Sequence, residues 1–154
     1  MSFSQRSSAS ETASRIKARV KKTDSRCERL LRSKLWARGL RYRKNLASLP
    51  GCPDIVFERA RLAIFCDGDF WHGRDWSERR ARLMGCNNGE YWIAKIERNI
   101  QRAVEVEGLL QGLGWNVIRF WESDILANCD GIADRLLNLL SQSADTAAPH
   151  DVPV

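Results

Sequence analysis

At 154 residues the chain fits one domain, long enough to bury a core without disulfides or metal staples. A formal net charge of +6 and a pI near 9.4, carried by arginine-rich segments, point to an anionic polymer as partner, nucleic acid first. The five cysteines, Cys27, Cys52, Cys66, Cys86 and Cys129, form no zinc signature or disulfide framework, and no stretch is apolar enough for a signal peptide or membrane span, so free thiols in a reducing, cytoplasmic compartment are expected.

Residues 1–22 are polar, with Ser7, Ser8, Ser10 and Ser14 giving way to Arg15, Lys17, Arg19, Lys21 and Lys22. They read as a flexible basic arm. It is either a terminus with no role or a segment that follows a phosphate backbone or enters a minor groove. The Ser- and Arg-rich composition up to Arg26 is also that of organellar transit peptides.

Ser25-x-x-Glu28 has capping-box spacing, and Leu30, Leu31 and Leu35 followed by Gly39 give an apolar face and a stop, predicting a helix over 26–38. Leu40 to Lys44 suits an edge strand, and Leu49-Pro50-Gly51 a tight turn. The apolar runs Ile55-Val56-Phe57 and Leu62-Ala63-Ile64-Phe65-Cys66 then read as a buried hairpin. Asp54 opens the first strand, while Asp67 and Asp69 close the second, so antiparallel pairing is expected to bring these carboxylates within reach of one hard cation. His72, the one histidine outside the C-terminal tail, is close enough in sequence to move a proton there. An Asp at a strand edge and a lone His are otherwise common structural residues.

Gly73 to Gly89 carries Arg74, Arg79, Arg80 and Arg82 and reads as a long loop, either contacting phosphates or forming a solvated surface loop or short helix. From Tyr91 to Gly112 the apolar positions recur at helical period, and Lys95 and Asn99 share a face that suits a DNA groove. Gly114 to Trp121 is a buried strand parallel to the second hairpin strand, because the helix supplies the crossover. A closing helical region takes in Ile125 and residues 132–140. The organisation expected is therefore an arm (1–22), one α/β domain (23–140) and a polar tail (141–154).

Leu49-Pro50-Gly51-Cys52-Pro53-Asp54, the block from Ile64 through Phe70-Trp71-His72, Tyr91-Trp92 with Lys95 and Asn99, and Leu113-Gly114-Trp115 with Trp121-Glu122 together resemble the very short patch repair endonucleases. The resemblance runs in order from about Val20 to about Leu140. It implies a restriction-endonuclease-like PD-(D/E)XK fold, a three-layer α/β/α sandwich on a central mixed sheet, and nicking of one DNA strand at a T:G mismatch with Mg²⁺. In that reading Asp54 and the Cys66 main-chain carbonyl hold one or two Mg²⁺ ions, with Asp67 a further ligand or a proton-transfer group. His72 activates or orients water, Glu28 matches an active-site glutamate, and Phe70 and Trp71 match an intercalating pair. Lys95 and Asn99 match positions that contact the mismatched pair. Lys17 and Arg19 fall in the arm that clasps DNA, Lys17 standing where relatives place an apolar wedge, and Arg74 is expected on phosphate.

Two of these assignments keep a plain alternative: Glu28 as a helix-capping residue, and Phe70 with Trp71 as core. The family's zinc ligands are replaced here by Asp69, Arg74, Trp76 and Ser123, so no structural zinc is expected, and Asp67 stands where typical members carry histidine. A DNA cytosine methyltransferase partner follows from the resemblance alone, and a monomer is expected. The competing functions are a general or restriction-associated nuclease of the same fold and a non-catalytic DNA-binding module.

Overall fold

The computed structural model describes residues 24–146, so the arm with Lys17 and Arg19 lies outside the described residues, as does the end of the tail. The first helix, α1 (Arg26–Ala37), starts where the capping box predicts. The Ser25 hydroxyl accepts the Glu28 N–H at 3.4 Å, and the Glu28 carboxylate reaches back to the Asp24 N–H at 2.9 Å. The helix stops in a Schellman arrangement: Gly39 has φ +80 and donates to the Trp36 carbonyl at 3.0 Å, and Leu40 N–H returns to the Leu35 carbonyl at 3.1 Å. Cys27, Leu31 and Leu35, at i, i+4 and i+8, form its buried stripe.

Four strands follow in the sheet order β1, β2, β3, β4. The edge strand β1 is only Arg43–Lys44, shorter than the run from Leu40 suggests. It pairs antiparallel with β2 (Ile55–Phe57), which pairs antiparallel with β3 (Leu62–Asp67) in the register Ile55 to Ile64 and Phe57 to Leu62. β4 (Asn116–Trp121) runs parallel to β3, Leu62 opposite Asn116 and Asp67 opposite Trp121. The parallel pair is made possible by α3 (Gly89–Gly112), which carries the chain back across the sheet.

Side chains alternate across β2 and β3 and divide the core in two. Ile55, Phe57, Leu62 and Ile64 pack on α1 and on Ile125, Cys129, Ala133 and Leu136 from α4 (Glu122–Ala127) and α5 (Cys129–Thr146). Ala63 and Phe65 face the other way, onto Val106 and Leu110 of α3. The result is the three-layer α/β/α arrangement on a mixed sheet. The segment after His72 contains α2 (Trp76–Met84), the short helix that was one of its two readings, and α5 continues to Thr146, past residue 140 where the closing helical region was expected to end.

Two glycines seat the loops around the sheet's end. Gly51 has φ +75, and a Cβ there would lie 2.4 Å from Cγ1 of Val106. Gly73 has φ +70, and a Cβ there would lie 2.6 Å from Cδ1 of Ile100. The turns before Asp54 and after His72 therefore both rest directly on α3.

Candidate active site

Asp54 precedes β2, and its own N–H already joins the ladder, donating to the Ile64 carbonyl at 3.0 Å. Its Oδ2 accepts the Cys66 N–H at 2.7 Å, so β3 clamps the carboxylate at the sheet's end. Oδ1 has no hydrogen-bond donor among the described residues. Burial pushes the Asp54 carboxyl up to about 7; the Cys66 N–H opposes that rise, while the neighbouring Glu28 and Asp67 carboxylates add to it.

Glu28, 4% exposed, performs the capping role in full: it accepts from Asp24 N–H, from the Ser25 hydroxyl at 3.1 Å and from Arg32 at 3.4 Å. The same carboxylate is one of the charges that raise the Asp54 carboxyl.

The expected cluster of three aspartates does not form. Asp69 turns away to accept the Ser123 N–H at 3.3 Å and lies 4.0 Å from Arg74. Asp67 alternates to the α3 side of β3, where both its oxygens accept from Nη1 of Arg119, at 3.1 and 3.2 Å. No group of three His, Cys, Asp or Glu side chains among the described residues is arranged to hold a metal. A site using Asp54 and the Cys66 carbonyl would have to complete its shell with water and phosphate oxygens. That suits Mg²⁺, which commonly takes one or two carboxylates and keeps its waters or substrate oxygens.

His72 also approaches Asp67, Nδ1 to Oδ1 being 3.8 Å. That Nδ1 is buried and has no hydrogen-bond partner among the described residues. Burial lowers the imidazole pKa, with Arg119 in the same direction and Asp67 opposing, so His72 favours the neutral form that can take up a proton.

Phe70 and Trp71 belong to neither core cluster. They are half-buried and meet Trp92 edge-on, with centroid distances of 5.2 Å (Phe70 to Trp71), 5.8 Å (Phe70 to Trp92) and 5.7 Å (Trp71 to Trp92). Lys95 lays its ammonium 5.2 Å from the Trp71 ring, and Arg79 lies 5.5 Å from Phe70. Asn99 is turned inward: its Nδ2 donates to the Trp71 carbonyl at 3.0 Å, so it holds the aromatic loop in place.

Arg74, expected on phosphate, is committed within the protein. It bonds the Ser123 hydroxyl, pairs with Asp124 at 3.0 Å and lies 5.8 Å from the Trp121 ring. Arg74, Asp69 and Ser123, three of the four positions where zinc ligands were missing, thus join the post-β3 loop to the start of α4 by polar contacts. Sequence reasoning did not place Trp92 or Arg119 in the site. Arg119 did carry a signal, a lone cation in the apolar strand Val117-Ile118-Arg119-Phe120.

Residues 7–78 match the family model described as DNA mismatch endonuclease Vsr. The chain is 50% identical over 109 residues to the type II nicking enzyme V.NmeDIP of Neisseria meningitidis serogroup C, covering 71% of this chain and 72% of that protein. It is 46% identical over 113 residues to the type II nicking enzyme V.HpaIIP of Haemophilus parainfluenzae, covering 73% and 79%. It is 37% identical over 99 residues to the DNA mismatch endonuclease Vsr of Escherichia coli (strain K12), covering 64% and 62%.

Proposed function

Because the chain belongs to the DNA mismatch endonuclease Vsr family and is a DNA endonuclease, we propose that it nicks one strand of duplex DNA at a T:G mismatch in a Mg²⁺-dependent reaction. The observation that carries this reading is the continuity of one segment, Cys66 to His72. It clamps Asp54, presents Asp67, places two half-buried rings beside Trp92 and Lys95, and ends in an imidazole next to Asp67.

Asp54 Oδ1 and the Cys66 carbonyl would hold Mg²⁺, which when bound supplies charge neutralisation for the phosphate and lowers the pKa of water. Asp54 must lose its proton to do so, and the Cys66 N–H keeps its other oxygen fixed. Asp67 is assigned to His72 rather than to the cation, since both its oxygens are engaged by Arg119. With Nδ1 directed at Asp67, His72 presents Nε2 to take a proton from water attacking the phosphorus, or to orient that water. Phe70 and Trp71, backed by Trp92, enter the base stack, and Lys95 reaches the opened pair from the same cluster. Glu28 keeps the N-terminus of α1 facing the site.

The protein would act as a monomer in a bacterial cytoplasm, after a DNA cytosine methyltransferase whose product deaminates to give T:G. The test is cleavage of strand-labelled duplexes carrying T:G, T:A or C:G at one position, with Mg²⁺ or EDTA. Nicking of the T-bearing strand of T:G alone, lost in EDTA, is expected. Cutting of all three duplexes would replace mismatch recognition with general nuclease activity, and unchanged cutting in EDTA would remove the metal.

A further inference from the structure

Arg119 is a half-buried cation that the scheme above leaves without a task. It reaches from the middle of β4 toward the end of β3, with its guanidinium 4.1 Å from the Phe65 ring centroid. Nη1 contacts both oxygens of Asp67, Nη2 donates to the Ala103 carbonyl at 3.3 Å, and Nε lies 3.8 Å from a Glu107 oxygen. Three elements therefore fix its orientation: β4 carries it, β3 stacks against it and α3 takes its second donor. The oxygen of Asp67 that receives Nη1 at 3.1 Å, Oδ1, is also the one 3.8 Å from His72 Nδ1. A buried carboxylate with one partner missing would turn to whatever donor it found, and this one is held through both oxygens by Arg119.

We propose that Arg119 is a positioning residue for strand nicking: it locks the Asp67 carboxylate so that Oδ1 faces Nδ1 of His72, and thereby decides which imidazole nitrogen carries the proton. Closing the gap from 3.8 Å to hydrogen-bond distance needs a movement of only about 1 Å by the loop that carries His72. The proton then sits on Nδ1, and Nε2 keeps its lone pair for the water. The same helix that anchors Arg119 through Ala103 also holds the Trp71 carbonyl through Asn99, one turn earlier. Helix α3 thus sets both halves of the pair, the acid through Arg119 and the imidazole through the Trp71 peptide. Lysine cannot replace this arrangement fully, because a single ammonium cannot bond Asp67 and the Ala103 carbonyl while stacking flat on Phe65.

The inference rests on the proton-transfer role of His72, and the experiment separates the two. Single-turnover nicking of a T:G duplex with Mg²⁺, and binding of the same duplex in EDTA, are measured for the full chain and its Arg119→Met, Arg119→Lys, Asp67→Asn and His72→Ala variants. Arg119→Met is expected to slow nicking about a hundredfold while binding changes by no more than about twofold, with Arg119→Lys recovering part of the rate. Because Arg119→Met leaves a buried carboxylate unpaired, the neutral pair Asp67→Asn with Arg119→Met is made as well; it is expected to fold and to nick no more slowly than Asp67→Asn alone. Imidazole ¹⁵N shifts should show His72 protonated on Nδ1 in the parent, and that preference should be lost in the neutral pair. In the His72→Ala background, substitution at Arg119 should change residual cleavage by less than about twofold. Parent-like nicking by folded Arg119→Met, or an equal loss in the His72→Ala background, would overturn the positioning role while leaving His72 in place. Parent-like nicking by His72→Ala would overturn the proton-transfer role and this inference with it.

Discussion

Asp54 is costly to the fold, and in the proposed mechanism the same residue serves the reaction. Burial pushes its carboxyl up to about 7, against 3.8 ordinarily. Between those values the folded state binds more protons than the unfolded chain, so the stability of the fold falls as pH rises through this window. Denaturant unfolding at about pH 5 and pH 8 is expected to show a loss that Asp54→Asn removes, on the order of a few kcal/mol. Equal slopes for parent and Asn variant would contradict the buried carboxyl. Mg²⁺ competes with that same proton, so it should raise the melting temperature more above pH 7 than below it, and not at all in Asp54→Asn. His72→Ala should lower the nicking rate by about two to four orders of magnitude with mismatch binding retained, as measured in single-turnover and gel-shift assays.

The elements matter because they aim these residues. The turn before Asp54 rests on α3 only because Gly51 has no side chain there. Gly51→Ala is expected to cost about 1 to 3 kcal/mol in chemical denaturation, from the clash with Val106 and the positive φ together. Adding Val106→Ala should relieve the clash but not the backbone term, so a double variant worse than the sum of its parts would refute the packing argument. Beyond β3, the contacts of Arg74 with Ser123 and Asp124 do what a bound ion could do for a loop. Arg74→Ala should destabilise the protein by about 1 kcal/mol and raise protease cleavage between β3 and α2, whereas chelation of zinc should leave the melting temperature unchanged.

At the scale of the whole molecule, a charge of +6 acts on DNA before any base is read. Affinity for duplex should fall steeply with salt, and the arm contributes Arg6, Arg15, Lys17, Arg19, Lys21 and Lys22. A chain starting at residue 23 is expected to show a log-affinity against log-salt slope shallower by about three to five, with its nicking preference for T:G kept. An unchanged slope would take the arm off the phosphate backbone.

Much of this was readable without coordinates, for identifiable reasons. The capping box, the hairpin and the parallel fourth strand are local or near-local consequences of spacing and of a crossover helix long enough to return the chain. The family was legible because the residues that carry the resemblance, Asp54 and the Phe70-Trp71-His72 run among them, stand in contiguous motifs. What the string does not contain is where a side chain ends. The alternation of β3 sends Asp67 to one face while the bend after it takes Asp69 to another, which dissolved the expected three-carboxylate cluster. For Arg74 and Asn99 the fold supplies partners the string does not show, Asp124 and the Trp71 carbonyl. Arg119 meets Asp67 across 52 positions of chain, through a strand pairing that exists only after α3 has crossed the sheet. Sequence determined the elements, the charge and the family, because those depend on neighbours in the chain; tertiary structure alone decided which charges are paired, because burial and partnership are properties of the packed sheet.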